Sequence, residues 1–439
     1  MSLAGPVLLL TGPLWGAIVA WLLKQWTRWA IAAGTLSAWL MGLWLWQRPL
    51  TETGEVVTAY GRSLTLTPGL QSLFVLLLFS LGVLFLLSLL WPQGRYFVPA
   101  SLAALSPMAA ALLIRPLILG SLFWLMAAIF LGVVIQSDRA GRTQGAWRYV
   151  LLMTLAVALL LVGGWMADTA QTALHEMAGR LLVLAFLIML AGFPFHIWLQ
   201  PVVTAVPGLA LVVVMGVGQL VLTIFLYDWL DAYAWLSPIP HFQMMVQWSA
   251  LFTAVLAGVL ALTARDLLRL LGSLLLLDTA VSAALLSVPV PGGRETAVLL
   301  LVARLVSLVL AAAGSQVFFP HPDAPDAAAR WTVLSAFAGA YGFVSLLGFP
   351  FTPGFLGRWT AVTLIAGQTG ITPWLPIGIL LAMGGGILGL WRQVVPKLIR
   401  TAAASLEYES PWLSAAAIIA LIGLIWLLFK PFFSLVSHF

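Results

Sequence analysis

The chain has 439 residues, of which 62% are apolar and only 8% charged, against the roughly 25% charged usual in a soluble domain. That balance excludes an aqueous globular fold, and the absence of Cys excludes disulfides, Cys-ligated zinc, thiol nucleophiles and Cys-bound iron–sulfur clusters within the chain. A formal net charge of +6 without any polybasic run points to membrane topology, and nucleic acid is not an expected partner.

Apolar segments near the ~20 residues that span a bilayer follow one another along the chain. They run 3–23, 29–46, 70–91, 97–114, 117–137, 149–167, 181–199, 208–227, 246–264, 268–288, 295–315, 331–350, 371–391 and 412–430, about fourteen spans in all. The first has no basic leader and no small-residue cleavage site, so it reads as a retained helix. Twelve Lys and Arg fall in the odd-numbered connections, among them Lys24, Arg95, Arg265 and Arg392, against six in the even ones: Arg48, Arg62, Arg115, Arg180, Arg294 and Arg358. The positive-inside rule then places odd connections in the cytoplasm and both termini outside, in a membrane expected to be the bacterial inner one. The connection from Arg392 to Pro411 is long and mixed enough in charge to hold a surface helix on the cytoplasmic face, and no segment is large enough for a soluble domain.

One tetrapeptide recurs near the ends of two spans: Gly192-Phe193-Pro194-Phe195 and Gly348-Phe349-Pro350-Phe351. In so Phe-rich a chain this is either coincidence or a pair of Gly/Pro-broken helices at matching positions of an inverted repeat, the sequence pointer to a transporter's ion path. Pro removes a backbone hydrogen bond from a helix and clashes with the preceding turn. In lipid such a break survives only where protein or a wet cavity covers it.

The surrounding residues resemble a known family. Phe193-Pro194-Phe195-His196-Ile197-Trp198-Leu199, followed by Val206-Pro207, is similar to the P-x-H-x-W-L-P…A-P signature of the antiporter-like subunits of complex I, a family shared with membrane hydrogenases and multisubunit cation/proton antiporters. Arg265-Asp266-Leu267-Leu268-Arg269-Leu270-Leu271 resembles its D-L-K-R-L-L run. Leu347 to Arg358 resembles G-x-P-P-x-x-G-F-x-x-K, and Tyr60-Gly61-Arg62 to Pro68 resembles the loop before its third helix, so the likeness covers nearly the whole chain.

The resemblance implies an all-α polytopic fold with two inverted five-helix repeats, over 92–227 and 246–391. These are flanked by N-terminal helices over 1–91 and by a connection with a last helix over 392–439. It also implies breaks at Pro194, Pro207, Pro350 and Gly348, and proton transfer along a mid-membrane row of Glu, Lys and His. A proton crossing hydrocarbon needs such groups, with pKa values moved toward neutrality. Here the row is apolar. The family's buried Glu falls at Trp124, and its Lys residues fall at Met189, Leu220 and Leu308, while 371–391 holds no ionisable group.

Few ionisable groups remain within the spans. Asp278 and Arg304 lie near mid-depth on sequential, oppositely directed helices. They are expected to pair and fix packing, or else to belong to an ion path or to contact a neighbouring subunit. Arg304 takes the family's His position but stays protonated and cannot relay protons by titrating. His196 reads as a structural His of the broken helix or as a proton carrier. Gln219 and Ser307 are candidates to order water or to bond across helices, and Arg115 reads as an interfacial snorkeller.

No carboxylate pair, Ser/His/Asp arrangement or metal-ligand cluster marks a catalytic site, and no cofactor is expected. The leading expectation is an antiporter-like membrane subunit of a complex I-like assembly, of the NADH-quinone oxidoreductase type or a related one. Its role is structural or coupling, and its partners are other membrane subunits and the lipid bilayer. The alternative is an active proton or sodium translocator with a path rerouted through Asp278 and His196.

Overall fold

Helices account for most of the described residues because the apolar runs leave the backbone few other ways to satisfy its polar groups in lipid. A computed structural model describes residues 4–50, 54–59, 61–136, 143–169, 172–206, 208–236, 239–287, 292–318, 332–368 and 373–397. Pro207, most of the connection after Arg392 and the span expected at 412–430 lie outside the described residues. Among the described residues, ten helices are long and apolar enough to cross a membrane, and the chain is an integral membrane protein.

The first half contains α1 Gly5–Leu22, α2 Thr27–Gln47, α3 Pro68–Leu87, α4 Phe97–Leu113, α5 Ile118–Gln136, α6 Gln144–Asp168, α7 Thr172–Met189 and the short α8 Leu199–Ala205. Helix α9, Gly208–Ala232, contains a π-helical stretch over Val212–Gly218. The second half contains α10 Pro240–Thr263, α11 Leu267–Leu286, α12 Gly293–Phe318, α13 Thr332–Leu346, α14 Pro353–Ala366 and α15 Trp374–Gln393.

Local sequence sets several of these ends. Thr67 caps α3 by accepting from the Leu70 N–H (3.4 Å), and Asp266 caps α11 by accepting from the Arg269 N–H (2.8 Å), so the D-L-K-R-L-L-like run is a helix start. Pro6, Pro240 and Pro353 stand in first turns, where the missing N–H costs nothing.

The structure adds a small three-stranded antiparallel sheet to the expected helices. Strand β1 Glu55–Ala59 pairs with β2 Arg62–Leu66, and β2 pairs with β3 Ile114–Arg115. Glu55 ties this strap to the bundle by accepting from the Gly5 N–H (2.9 Å) and from Arg48 Nη2 (2.7 Å).

Burial separates centre from rim. The apolar window of α9 is 100% buried within the chain, that of α12 94% and that of α11 89%, whereas α1 and α15 reach 39%. Helix α9 is therefore the axle on which the two halves pack, and its π stretch lies against α12. The rim carries exposed Trp15, Trp21, Trp29, Trp46, Trp147 and Trp391, the lipid-anchoring pattern of interfacial aromatics.

The connections segregate by number, as the span order requires. On the even side Asp228 receives Arg294 (2.9 Å) and Arg115 (3.5 Å), Arg294 also reaches Asp231 (2.9 Å), and Tyr233 donates to Asp168 (2.8 Å). On the odd side Gln93 Oε1 accepts from the Leu209 and Ala210 N–H groups, Gln200 donates to the Arg269 carbonyl, and Arg392 and Gln393 donate to the Ala264 carbonyl. Arg115 is thus an ion-pair partner as well as an interfacial side chain.

Candidate functional site

Both recurring tetrapeptides sit at helix breaks, and both helices stop in the same way. At the end of α7 the residue in the left-handed conformation is Ala191 (φ 56°). Its N–H reaches the Ile188 carbonyl (3.2 Å), and the Gly192 N–H reaches back to Leu187 (2.7 Å). At the end of α13 the left-handed residue is Gly348 (φ 71°), with its N–H on Ser345 (2.9 Å) and the Phe349 N–H on Val344 (3.3 Å). Each is a Schellman stop, which satisfies last-turn carbonyls by reversing the chain. The two stops are offset by one residue relative to the tetrapeptide, since Ala191 precedes the first and Gly348 opens the second.

The first break is stapled from outside its own helix. Ser249 and Thr253, one turn apart on α10, face it: the Thr253 hydroxyl accepts from the Phe193 N–H (2.7 Å), and the Ser249 hydroxyl donates to the Phe193 carbonyl (2.6 Å). The Trp198 indole N–H donates to the Ile188 carbonyl (3.0 Å). Gln219, immediately after the π stretch, donates to the Met189 carbonyl (3.5 Å). His196 stacks on Phe193 with centroids 6.1 Å apart, on the outer side of the break where Pro194 is exposed.

The second break divides two half-helices of 15 and 14 residues. Ser307 donates to the Ala303 carbonyl (2.7 Å), so the 2.6 Å contact between Ser307 and Ser345 takes its proton from Ser345, since each hydroxyl has one. Ser345 Oγ accepts in turn from the Gly354 N–H (3.1 Å) at the start of α14, and the Tyr341 hydroxyl donates to the Phe351 carbonyl (2.9 Å).

The buried charges depart from the expected pairing. Asp278 is held by Arg358, not by Arg304: Arg358 Nη2 donates to Asp278 Oδ1 and to the Leu346 carbonyl. Arg358, counted from sequence with the even connections, lies inside the bundle on α14, and both partners are 2% exposed. The span read as ending at Pro350 is followed by a further helix, which Pro353 opens. Gly348 makes room for the arrangement, because a Cβ at that position would stand 2.9 Å from Arg358 Cδ. Arg304 is also buried and lies within electrostatic range of Asp278 and Arg358, but its Nε, Nη1 and Nη2 have no hydrogen-bond partner among the described residues.

The four apolar replacements of the resemblance, Trp124, Met189, Leu220 and Leu308, are each at most 1% exposed. Trp124 stacks on Phe225 with ring centroids 6.1 Å apart. These positions are packed side chain against side chain.

Sequence reasoning missed Arg358, Ser249, Thr253, Ser345 and Tyr341. Arg358 carried a usable signal, since it ends the G-x-P-P-x-x-G-F-x-x-K-like run. The hydroxyl residues carried none, because Ser and Thr on an apolar helix usually bond to their own preceding turn.

No known protein-family profile matches the sequence, and no curated protein does. Solved structures do match. A chain of the membrane-bound sulfane sulfur reductase, an archaeal respiratory membrane complex, superposes with a TM-score of 0.74 at 15% identity, covering 99% of this chain and 96% of that one. A chain of the Mrp complex from Dietzia sp. DQ12-45-1b gives 0.68 at 15% identity, over 90% and 80%. A chain of respiratory complex I from Thermus thermophilus gives 0.66 at 18%, over 97% and 98%. At these identities the likeness is one of fold. The chain has the polytopic fold found in membrane subunits of these complexes, and the antiporter-like resemblance in its motifs agrees with that fold.

Proposed function

We propose that the chain is an antiporter-like membrane subunit of a complex I-like ion-translocating assembly, with a structural or coupling role and a degenerate proton path. The observation that carries this reading is the closed apolar row: Trp124, Met189, Leu220 and Leu308 fill, without exposure, the positions where the resembled family places ionisable groups. None of them can take up or release a proton near neutral pH. The remaining carboxylate, Asp278, is tied to Arg358, whose guanidinium does not titrate in the physiological range. Against an active translocator, His196 belongs to the other break and, among the described residues, shares no hydrogen bond with Asp278.

Partner subunits are supported by the breaks themselves. Phe193, Pro194, Phe349, Pro350 and Phe351 are exposed on the outside of the bundle, Phe351 at 98%, and non-helical backbone at membrane depth needs protein or water over it. Neighbouring membrane subunits would supply that cover in an inner membrane, with both termini outside.

Copurification in mild detergent, followed by proton-flux assays in liposomes on the isolated chain, tests the reading. Stable association with other membrane subunits and no flux from the chain alone are expected. A chain that stays monomeric and moves protons or sodium by itself refutes the scaffold role.

A further inference from the structure

Inside the second half, the positive charge exceeds the negative. Arg304 and Arg358 are each 2% exposed, and the charged groups that act on Arg304 are Asp278 and Arg358. Two guanidiniums that stay protonated against one carboxylate leave the cluster with a net positive charge. Asp278 and Arg304 stand on α11 and α12, whose apolar windows are 89% and 94% buried within the chain, and Arg358 faces them from α14. An uncompensated charge at that depth is costly.

Hydrogen bonding shows a second and separate deficit, of acceptors. Arg358 commits Nη2 to Asp278 and the Leu346 carbonyl, but among the described residues its Nε and Nη1 have no partner, and neither do Nε, Nη1 and Nη2 of Arg304. A guanidinium donates and cannot accept. The nearby hydroxyls do not fill the gap. Ser282 donates to the Asp278 backbone carbonyl, and Ser307 and Ser345 are engaged with each other, the Ala303 carbonyl and the Gly354 N–H. A water molecule would accept from either Arg, but it brings two donors of its own to surroundings short of acceptors, and no charge. Leaving such donors buried and unmet costs free energy for each group. A small anion supplies both missing quantities at once.

We infer that Arg304 and Arg358 hold a small monovalent anion of the halide class, buried beside Asp278 between α11, α12 and α14. With Asp278 and the anion, the two guanidiniums form a neutral cluster, which removes the cost of an uncompensated buried charge. Such a site needs no ion flux through the chain, so its presence can be tested apart from the proposed role in the assembly.

Bromide is the probe. The full-length protein, with whatever subunits accompany it in mild detergent, is heated in bromide and in gluconate at equal ionic strength and pH. Wild type should unfold about 2–4 °C higher in bromide, as expected for a ligand that binds only the folded state. Arg304→Gln should lose that difference, while Arg294→Gln, in the even-side network, should keep it. Anomalous diffraction at the bromine edge on wild-type crystals should give a peak between Arg304 and Arg358, and this readout needs no variant to fold. No bromide advantage in wild type, an equal advantage in Arg304→Gln, or no anomalous peak at that position overturns the anion site and leaves water as its occupant.

Discussion

Arg358 joins the two sides of the second helix break, with Nη2 donating both to the Asp278 carboxylate on α11 and to the Leu346 carbonyl (2.5 Å) in the last turn of α13. One guanidinium therefore satisfies a carbonyl freed by the break and neutralises the carboxylate beside it. The break, the ion pair and the packing of α14 depend on each other.

That arrangement predicts unequal losses. Asp278→Asn strands two buried guanidiniums and should cost about 3–5 kcal/mol, as removal of one member of a buried pair typically does. Arg358→Leu should cost less, because Arg304 lies within range of Asp278 and can take over the pairing. Arg304→Leu combined with Arg358→Leu should then be worse than the sum of the two single changes. Thermal unfolding in detergent measures all four proteins. Equal losses for Asp278→Asn and Arg358→Leu, or simple additivity of the two Arg changes, would show that Arg304 gives no backup.

The two Schellman stops predict opposite outcomes for exchanging Gly and Ala. Ala191→Gly places the residue without a side-chain penalty in the left-handed conformation and should stabilise the protein by about 1 kcal/mol. Gly348→Ala should destabilise it by more than that, because a Cβ there meets Arg358 Cδ at 2.9 Å as well as the unfavourable φ. A neutral result at both positions in a thermal melt would contradict the assigned backbone conformations.

Much of this architecture is legible in the sequence, for identifiable reasons. Spans can be read because hydrocarbon thickness fixes helix length, and the breaks because Gly and Pro disrupt apolar runs where little else does. The Asp278–Arg358 pair is harder to read. Asp278 and Arg304 are mid-depth residues of consecutive helices, which makes them the obvious partners, whereas Arg358 follows two prolines that look like the end of a span. Pro353 marks a helix start instead, and only the three-dimensional path of α14 returns its Arg to the interior. The hydroxyl staple on Phe193 cannot be read at all, because it depends on the rotation of α10 about its axis.

The staple has its own test. Ser249→Ala leaves the Phe193 carbonyl without its donor, and Thr253→Val leaves the Phe193 N–H without its acceptor. Each change should cost about 1 kcal/mol, the net worth of one part-buried hydrogen bond. Hydrogen exchange over residues 190–198 should accelerate in both variants, while exchange over 347–353 should stay unchanged because the second break relies on Ser345, Tyr341 and Arg358. Faster exchange at both breaks would mean that they open together.

Orientation in the membrane can be tested with single cysteines, because the natural chain has none. Hydrogen bonds already group the connections: Gln93 with Leu209, Gln200 with Arg269, and Arg392 with Ala264 on one side, against Arg115, Asp228, Asp231 and Arg294 on the other. Which group faces the cytoplasm follows from charge, since the odd connections carry the excess of Lys and Arg. Moving Arg358 from the even connections into the bundle interior makes that asymmetry larger. Gln25→Cys and Arg265→Cys, both exposed in odd connections, and Arg62→Cys and Ala232→Cys, both exposed on the even side, leave every bond named above intact. An impermeant maleimide added to intact cells should label Arg62→Cys and Ala232→Cys, and should reach Gln25→Cys and Arg265→Cys only after the membrane is opened. The reverse pattern would preserve the grouping and invert the orientation, placing the excess of basic residues outside. Labelling of one odd and one even position from the same face would break the grouping itself, and with it the order of the spans.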